Sequence, residues 1–225
     1  MALGSRDTLR GIRYVQRQCI GSYNHNDFID IVERIPATSL ATPLHPHAVV
    51  RFPSLKLTKS KELSTICILR LPTCNEIANT TGFYTPPPPQ NPTDVVFTKN
   101  TPNMGVGLFA KQDVEPRELV FSERPLLVFP PRLTFVGRLS PEEAMKHQTL
   151  AYDETLKRAL RAMTKEDVDA YMGLSNCHPD LPQVVGISST NSFRTDIEEE
   201  DVEEGKFGYC AIGKLASRIN HRYEV

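Results

Sequence analysis

Short apolar runs separated by turn residues dominate the second half of the chain. Val95-Val96-Phe97 comes first, then Val106, Leu108 and Phe109 behind two glycines, then Leu119-Val120-Phe121 and Leu126-Leu127-Val128-Phe129. Their β-branched, aromatic and leucine content and their short length predict β-strands. Pro116 and the charges of DVEPRE mark a turn between two of them. From residue 140 to 174 the period becomes helical. Ser140-Pro141-Glu142-Glu143 places serine at an N-cap, proline at the first helical position and glutamate at the third. Leu156, Ala159, Leu160 and Met163 then recur at i, i+3, i+4 and i+7, which predicts one buried face. Thr164-Lys165-Glu166-Asp167 predicts a second cap, followed by a buried face of Val168, Tyr171 and Met172. His147 lies in a polar helical stretch and is expected at the surface. His178-Pro179 is expected to end the helical region. Strand-like sequence resumes at Phe207-Gly208-Tyr209-Cys210-Ala211-Ile212.

The first third of the chain is less regular. Leu63, Ile66, Ile68, Leu69 and Leu71 form an apolar cluster that reads as a strand or a short buried segment, and Pro36, Pro43, Pro46 and Pro53 interrupt what precedes it. Residues 86–92, Pro-Pro-Pro-Pro-Gln-Asn-Pro, can form neither helix interior nor central strand, because proline lacks the N–H and fixes φ. An extended polyproline spacer is expected there, and with it a domain boundary. The reading is an irregular N-terminal extension over 1–85, a proline-rich linker over 86–92 and a folded domain over 93–225, with a helical insert over about 138–182.

Composition narrows the function classes. Lys+Arg is 26 and Asp+Glu 27, a formal net charge of -1, which argues against direct nucleic-acid binding. Proline stands at 18 of 225 residues, above an average near ~5%. No stretch approaches the ~20 apolar residues of a membrane span. Arg6, Arg10, Arg13 and Arg17 at helical spacing faintly resemble a transit peptide, although a solvated basic helix or tail is the plainer reading. Cysteines at 19, 67, 74, 177 and 210 are odd in number and form no Cys-x-x-Cys, so reduced intracellular thiols are expected, with no metal site. Nucleus and cytoplasm are not separable on this basis. His45 and His47 flank a proline with no third ligand nearby and are read as loop residues. Residues 196–204, with seven acidic residues among nine, are read as a solvated loop, with docking of a basic peptide as the alternative.

Four separated strings carry the candidate chemistry. They are Asn103-Met104-Gly105-Val106-Gly107-Leu108-Phe109-Ala110, then Glu118-Leu119-Val120-Phe121-Ser122-Glu123-Arg124-Pro125-Leu126-Leu127, then Gly186-Ile187-Ser188-Ser189-Thr190-Asn191-Ser192-Phe193, and finally Leu215-Ala216-Ser217-Arg218-Ile219-Asn220-His221. A Gly-x-Gly pair before a strand lets backbone groups approach a ligand, and the absence of a following helix fits neither a dinucleotide fold nor a P-loop. In this order the strings resemble the SET domain, of the kind found in fungal proteins related to the SET-and-MYND lysine methyltransferases. The resemblance covers roughly residues 93 to 221. It implies an α+β, β-rich domain of short sheets with a helical insert, S-adenosylmethionine as cofactor, and a protein substrate, histone or non-histone, whose target lysine enters by a narrow channel. It assigns Met104, Gly105 and Val106 to the cofactor's amino-acid end, Asn191 to a cofactor contact, and Asn220 and His221 to a backbone contact near the adenine.

The chemistry suits those residue types. A sulfonium donor needs acceptors and a shape that aims the methyl group. Lysine must lose its proton, which a dry channel favours by disfavouring the charged form. Alignment supplies much of the remaining barrier reduction. The family pattern continues past Asn-His with Ser-Cys-x-Pro-Asn, where this chain reads Arg222-Tyr223-Glu224-Val225. The family's downstream pseudoknot segment, channel tyrosine and zinc-binding cysteines do not follow, and the MYND zinc cluster is also missing. The domain is therefore expected to be incomplete at its C-terminus, with no catalytic residue assigned, since Tyr209 and Tyr223 lie outside the matching motif. Arg117 stands where the family usually has a turn glycine. Two functions stay open: an S-adenosylmethionine-dependent protein-lysine methyltransferase, expected to be catalytically incomplete as this chain, and a non-catalytic protein-binding module derived from a SET domain.

Overall fold

A computed structural model describes residues 29–35, 42–43, 47–61, 64–79, 95–102, 105–133, 135–136, 140–201 and 205–219. The architecture is α+β. Six strands form one mixed sheet in the order β1 (Asp30–Arg34), β3 (His47–Phe52), β4 (Thr65–Arg70), β7 (Leu127–Phe129), β10 (Gly205–Ile212) and β9 (Phe193–Asp201). Neighbours are antiparallel except β4 and β7, which run parallel through Ile66–Leu127 and Cys67–Val128. Two small sheets stand apart from it: β2 (Thr42–Pro43) with β8 (Phe135–Val136), and the hairpin of β5 (Val96–Thr101) with β6 (Gly105–Ala110). Short helices α1 (Leu55–Thr58) and α2 (Leu71–Asn79) follow β3 and β4, and α3 (Pro141–Ala162), α4 (Lys165–Met172) and α5 (Gln183–Asn191) come between β8 and β9.

Strands β3 and β4 are the centre of the molecule, and every residue in both is buried. Alternation sends their side chains into two cores. Val49, Ile66 and Ile68 join Leu127 and Phe129 against Leu156, Ala159, Tyr171, Val184 and Ile187 of the helices. Ala48, Val50, Phe52, Cys67 and Leu69 join Val128 and Tyr209 against Cys74 and Ile77 of α2. Each fully buried aliphatic side chain contributes about 1.5–3 kcal/mol. The Tyr209 hydroxyl, at no exposure, accepts from the Arg70 N–H at 3.1 Å and lies 3.1 Å from Thr73 Oγ1, so the turn from β4 into α2 is tied to β10.

An irregular extension was expected over 1–85. Its described residues instead supply three of the six strands. Two-sided burial erases the polar alternation that announces a strand, and prolines flank β3 rather than break it. His47, read as a loop residue, lies buried in β3. Residues 1–28 and the proline spacer at 86–92 lie outside the described residues.

The helical expectations hold at both caps. Ser140 Oγ accepts from the Glu143 N–H at 3.3 Å and Glu143 Oε2 accepts from the Ser140 N–H at 3.1 Å, a reciprocal capping box. The Ser140 hydroxyl also donates to Glu143 Oε2 at 2.6 Å, and that bond first, then the one from the Ser140 N–H, holds the Glu143 carboxyl below the usual carboxylate range. Thr164 Oγ1 accepts from the Asp167 N–H at 3.1 Å at the start of α4. Leu156, Ala159, Leu160 and Tyr171 are buried as the period requires. Helix α3 is locked to the first strands: Arg51 donates to the Ala162 carbonyl at 2.8 Å, and Arg158 pairs with Glu33.

Three expectations are corrected. The helical region does not end at His178-Pro179, since α5 follows it. Leu119-Val120-Phe121 is not a strand: this stretch joins no ladder, and Leu119 is exposed. The acidic run is not a loop over its described part, because β9 extends to Asp201 and pairs Glu198, Glu199 and Glu200 with Gly208, Phe207 and Lys206. An edge strand tolerates such charge, having water beside it.

Candidate functional site

The four strings approach one another around a short 3-10 turn, Ala216–Arg218, at the end of β10. Each is positioned by a different element.

The first string forms the hairpin. Thr101 pairs with Gly105, and Thr101 Oγ1 donates to the Gly105 carbonyl at 2.8 Å. Gly105 has φ +68, a left-handed conformation that costs an L side chain strain. It is exposed, Val106 is half-buried, and Gly107 is buried. A Cβ built on Gly105 would lie 3.9 Å from Ser175 Oγ, in ordinary contact with the loop between α4 and α5. Phe97 and Phe109 stack across the hairpin with ring centroids 5.8 Å apart. Strand β6 also touches the 3-10 turn. Met104 lies outside the described residues.

The second string runs from the turn at Pro116-Arg117 to β7. Arg117 has φ 75, the conformation that a glycine takes at no cost. Further on, the Glu123 carboxylate accepts from two consecutive amides of the fourth string, Leu215 at 2.8 Å and Ala216 at 2.6 Å. These are N–H groups at the entry of the 3-10 turn, which have no partner within the turn itself. Beside them, a Cβ on Gly213 would sit 2.0 Å from Glu123 Oε1.

The third string ends α5. Asn191 is buried, and both hydrogens of its side-chain amide are committed: Nδ2 donates to the Ser175 and Ile187 carbonyls, each at 2.7 Å. Its own carbonyl accepts from Ser217 Oγ at 3.1 Å, which joins it to the turn. The loop above is fitted closely to α5. Asn176 fills the space over Gly186, where a Cβ would meet its Oδ1 at 2.4 Å, and the Cys177 N–H donates to Thr190 Oγ1 at 3.0 Å.

The turn is held from the far side as well. Arg218 donates to the Gly173 carbonyl at 2.8 Å, and burial lowers its guanidinium's pKa. Lys214 reaches Glu166 at 3.4 Å. Asn220 and His221, which continue from this turn, lie outside the described residues.

The structure thus brings Gly105, Val106, Asn191 and the stem of the fourth string to one junction, with Ser175 between the hairpin and Asn191. Glu123, Ser175 and Ser217 were given no role by the sequence reading. The string around Glu123 was visible, but nothing in its spacing points a carboxylate at amides more than ninety positions away.

The thiols are set by burial. Cys67 is pushed up by desolvation, then by Cys74, against a smaller pull from Arg124. Cys210 is also raised by burial, which Ser192 and Arg194 oppose. The Tyr171 phenol is pushed up to about 12 by burial, with the hydrogen bond to Ser188 working against it. Among the described residues no group of three or more His, Cys, Asp or Glu is placed to hold a metal ion. Among them too, no helix is long and apolar enough to cross a membrane.

No family model, curated protein or solved structure matches the chain. The likeness to SET domains therefore rests on the four strings of the sequence alone.

Proposed function

We propose that the junction of β6, α5 and the 3-10 turn is the S-adenosylmethionine site of a SET-type protein-lysine methyltransferase. The single observation that carries this reading is the convergence. Four strings spread from residue 103 to 221 have no local reason to meet, yet Asn191 bonds to Ser175 and Ser217, Glu123 accepts from Leu215 and Ala216, and Gly105 lies beside Ser175.

The residues fit the group. Gly105, exposed and in a left-handed conformation, offers backbone groups where an L side chain would be strained. Asn191 commits both amide hydrogens to the Ser175 and Ile187 carbonyls, so its side chain would offer the cofactor only Oδ1. Asn220 and His221, which follow the turn 216–218 in sequence, would hold the adenine end through backbone groups. When bound, the cofactor supplies a methyl group on a positively charged sulfonium. The task of this chain's residues is to orient that group and to keep water from the approach of a neutral lysine amine.

Calorimetric titration of the full chain with S-adenosylmethionine tests the reading. A Kd on the order of micromolar, about -8 kcal/mol, is expected. Absence of heat at millimolar cofactor overturns it. Labelled cofactor with histone and ribosomal proteins then reads whether the bound methyl group is transferred to lysine.

A further inference from the structure

We propose that Glu123 is the positioning residue of this site, a carboxylate that sets the 3-10 turn Ala216–Arg218 against the end of α5. The inference rests on the cofactor reading for its consequence, though not for its geometry. Glu123 lies on an extended stretch that joins no ladder, so backbone pairing does not explain its placement. Its two oxygens divide between consecutive amides, Oε2 to Leu215 and Oε1 to Ala216. A charged acceptor on backbone N–H groups makes a stronger bond than a neutral one. The turn it holds is only three residues long and has no side-chain cap of its own.

Gly213 fits the same device. Its Cβ position is taken by Glu123 Oε1 at 2.0 Å, with Ala216 Cβ at 3.1 Å. The carboxylate end is flexible, so alanine at 213 would push it aside rather than break the backbone. The cost would appear as lost hydrogen bonds at 215 and 216. Gly213 and Glu123 therefore act as one unit, and their substitutions should not add.

The experiment uses the full chain and two readouts: amide exchange at Leu215 and Ala216 by NMR, and Kd for S-adenosylmethionine. Glu123→Ala should lower protection at both amides about tenfold and raise Kd about tenfold, with protection in α3 unchanged. Glu123→Gln keeps one acceptor oxygen and replaces the other with an amide donor, so it should recover protection at no more than one of the two amides and only part of the Kd. Gly213→Ala should reproduce the Glu123→Ala result, and the double variant should be no worse than either. Unchanged protection in Glu123→Ala overturns the proposal, as does lost protection with unchanged Kd. If the unsubstituted chain binds no cofactor while Glu123→Ala still loses protection, the positioning contact stands and the cofactor reading alone falls. If Glu123→Ala does not fold, Gly213→Ala and Glu123→Gln supply the same comparison.

Discussion

Strands β3 and β4 and strands β5 and β6 make two antiparallel pairs of equal length, six residues per strand. In the first pair every residue is buried. In the second, Phe97, Phe109 and both ends of β6 reach solvent. The first pair has a hydrophobic core on each face, whereas the hairpin is held by its own ladder, a pair of aromatic rings and a touch from the 3-10 turn. The difference shows where stability and function reside. Packing on both faces fixes a strand against small perturbations, while a thinly supported hairpin opens at lower free energy. The candidate site is built on the second kind of strand and steadied by hydrogen bonds from the better-packed part.

That contrast can be broken by experiment. Ile68→Ala empties a fully buried place between β4 and the helices, and should cost about 2–5 kcal/mol in urea unfolding. A loss below about 1 kcal/mol would mean that the central pair is not the stable part. Alkaline pH probes the same core. The folded-state pKa of Tyr171 is raised from 10.0 to about 12. Its contribution is thus complete below pH 10 and is lost as pH rises from 10 through 12, by about 2–3 kcal/mol. Tyr152 is also raised, first by burial, and adds in the same direction. Tyrosinate absorbance from these two residues should appear only with unfolding, and its appearance in the folded protein would contradict their burial.

Two changes in the hairpin should do less to stability. Gly105→Ala forces a side chain into the left-handed region, at a cost of about 1–2 kcal/mol. Because the same change narrows the space before Ser175, cofactor affinity should fall more than its effect on melting suggests. Phe97→Ala removes one ring of a cross-strand pair and should cost about 0.2–1 kcal/mol by the same urea measurement. If Phe97→Ala were as damaging as Ile68→Ala, the hairpin would belong to the core.

What was legible in the sequence follows from how much of each signal is local. Both helix caps could be read, because Ser140 and Glu143, or Thr164 and Asp167, are three residues apart and satisfy each other. Strands β5, β6, β7 and β10 were legible as short apolar runs beside turns. Strands β1 and β3 were not. The sequence HAVVRF carries Arg51 and His47 within a buried strand, and Arg51 finds its acceptor on Ala162, far along the chain. Helix α5 was hidden because QVVGISSTN has neither an apolar stripe nor a side-chain cap. Strand β9 was concealed by its charge. Of the candidate site, Gly105, Val106 and Asn191 were named and now lie at one junction. Met104, Asn220 and His221 fall outside the described residues, and Glu123 acts at a distance that no local pattern reveals.

The parallel seam between β4 and β7 has a consequence for synthesis. Thr65 Oγ1 donates to the Pro125 carbonyl, 60 positions further along the chain, at 3.0 Å, at the same junction where the two antiparallel blocks meet. As the chain leaves the ribosome, β1, β3 and β4 can zip together early, yet one flank of β4 stays bare until the strand that covers it has been translated. For that interval the nascent protein presents an apolar ribbon with open backbone groups, a natural client for a chaperone at the tunnel exit.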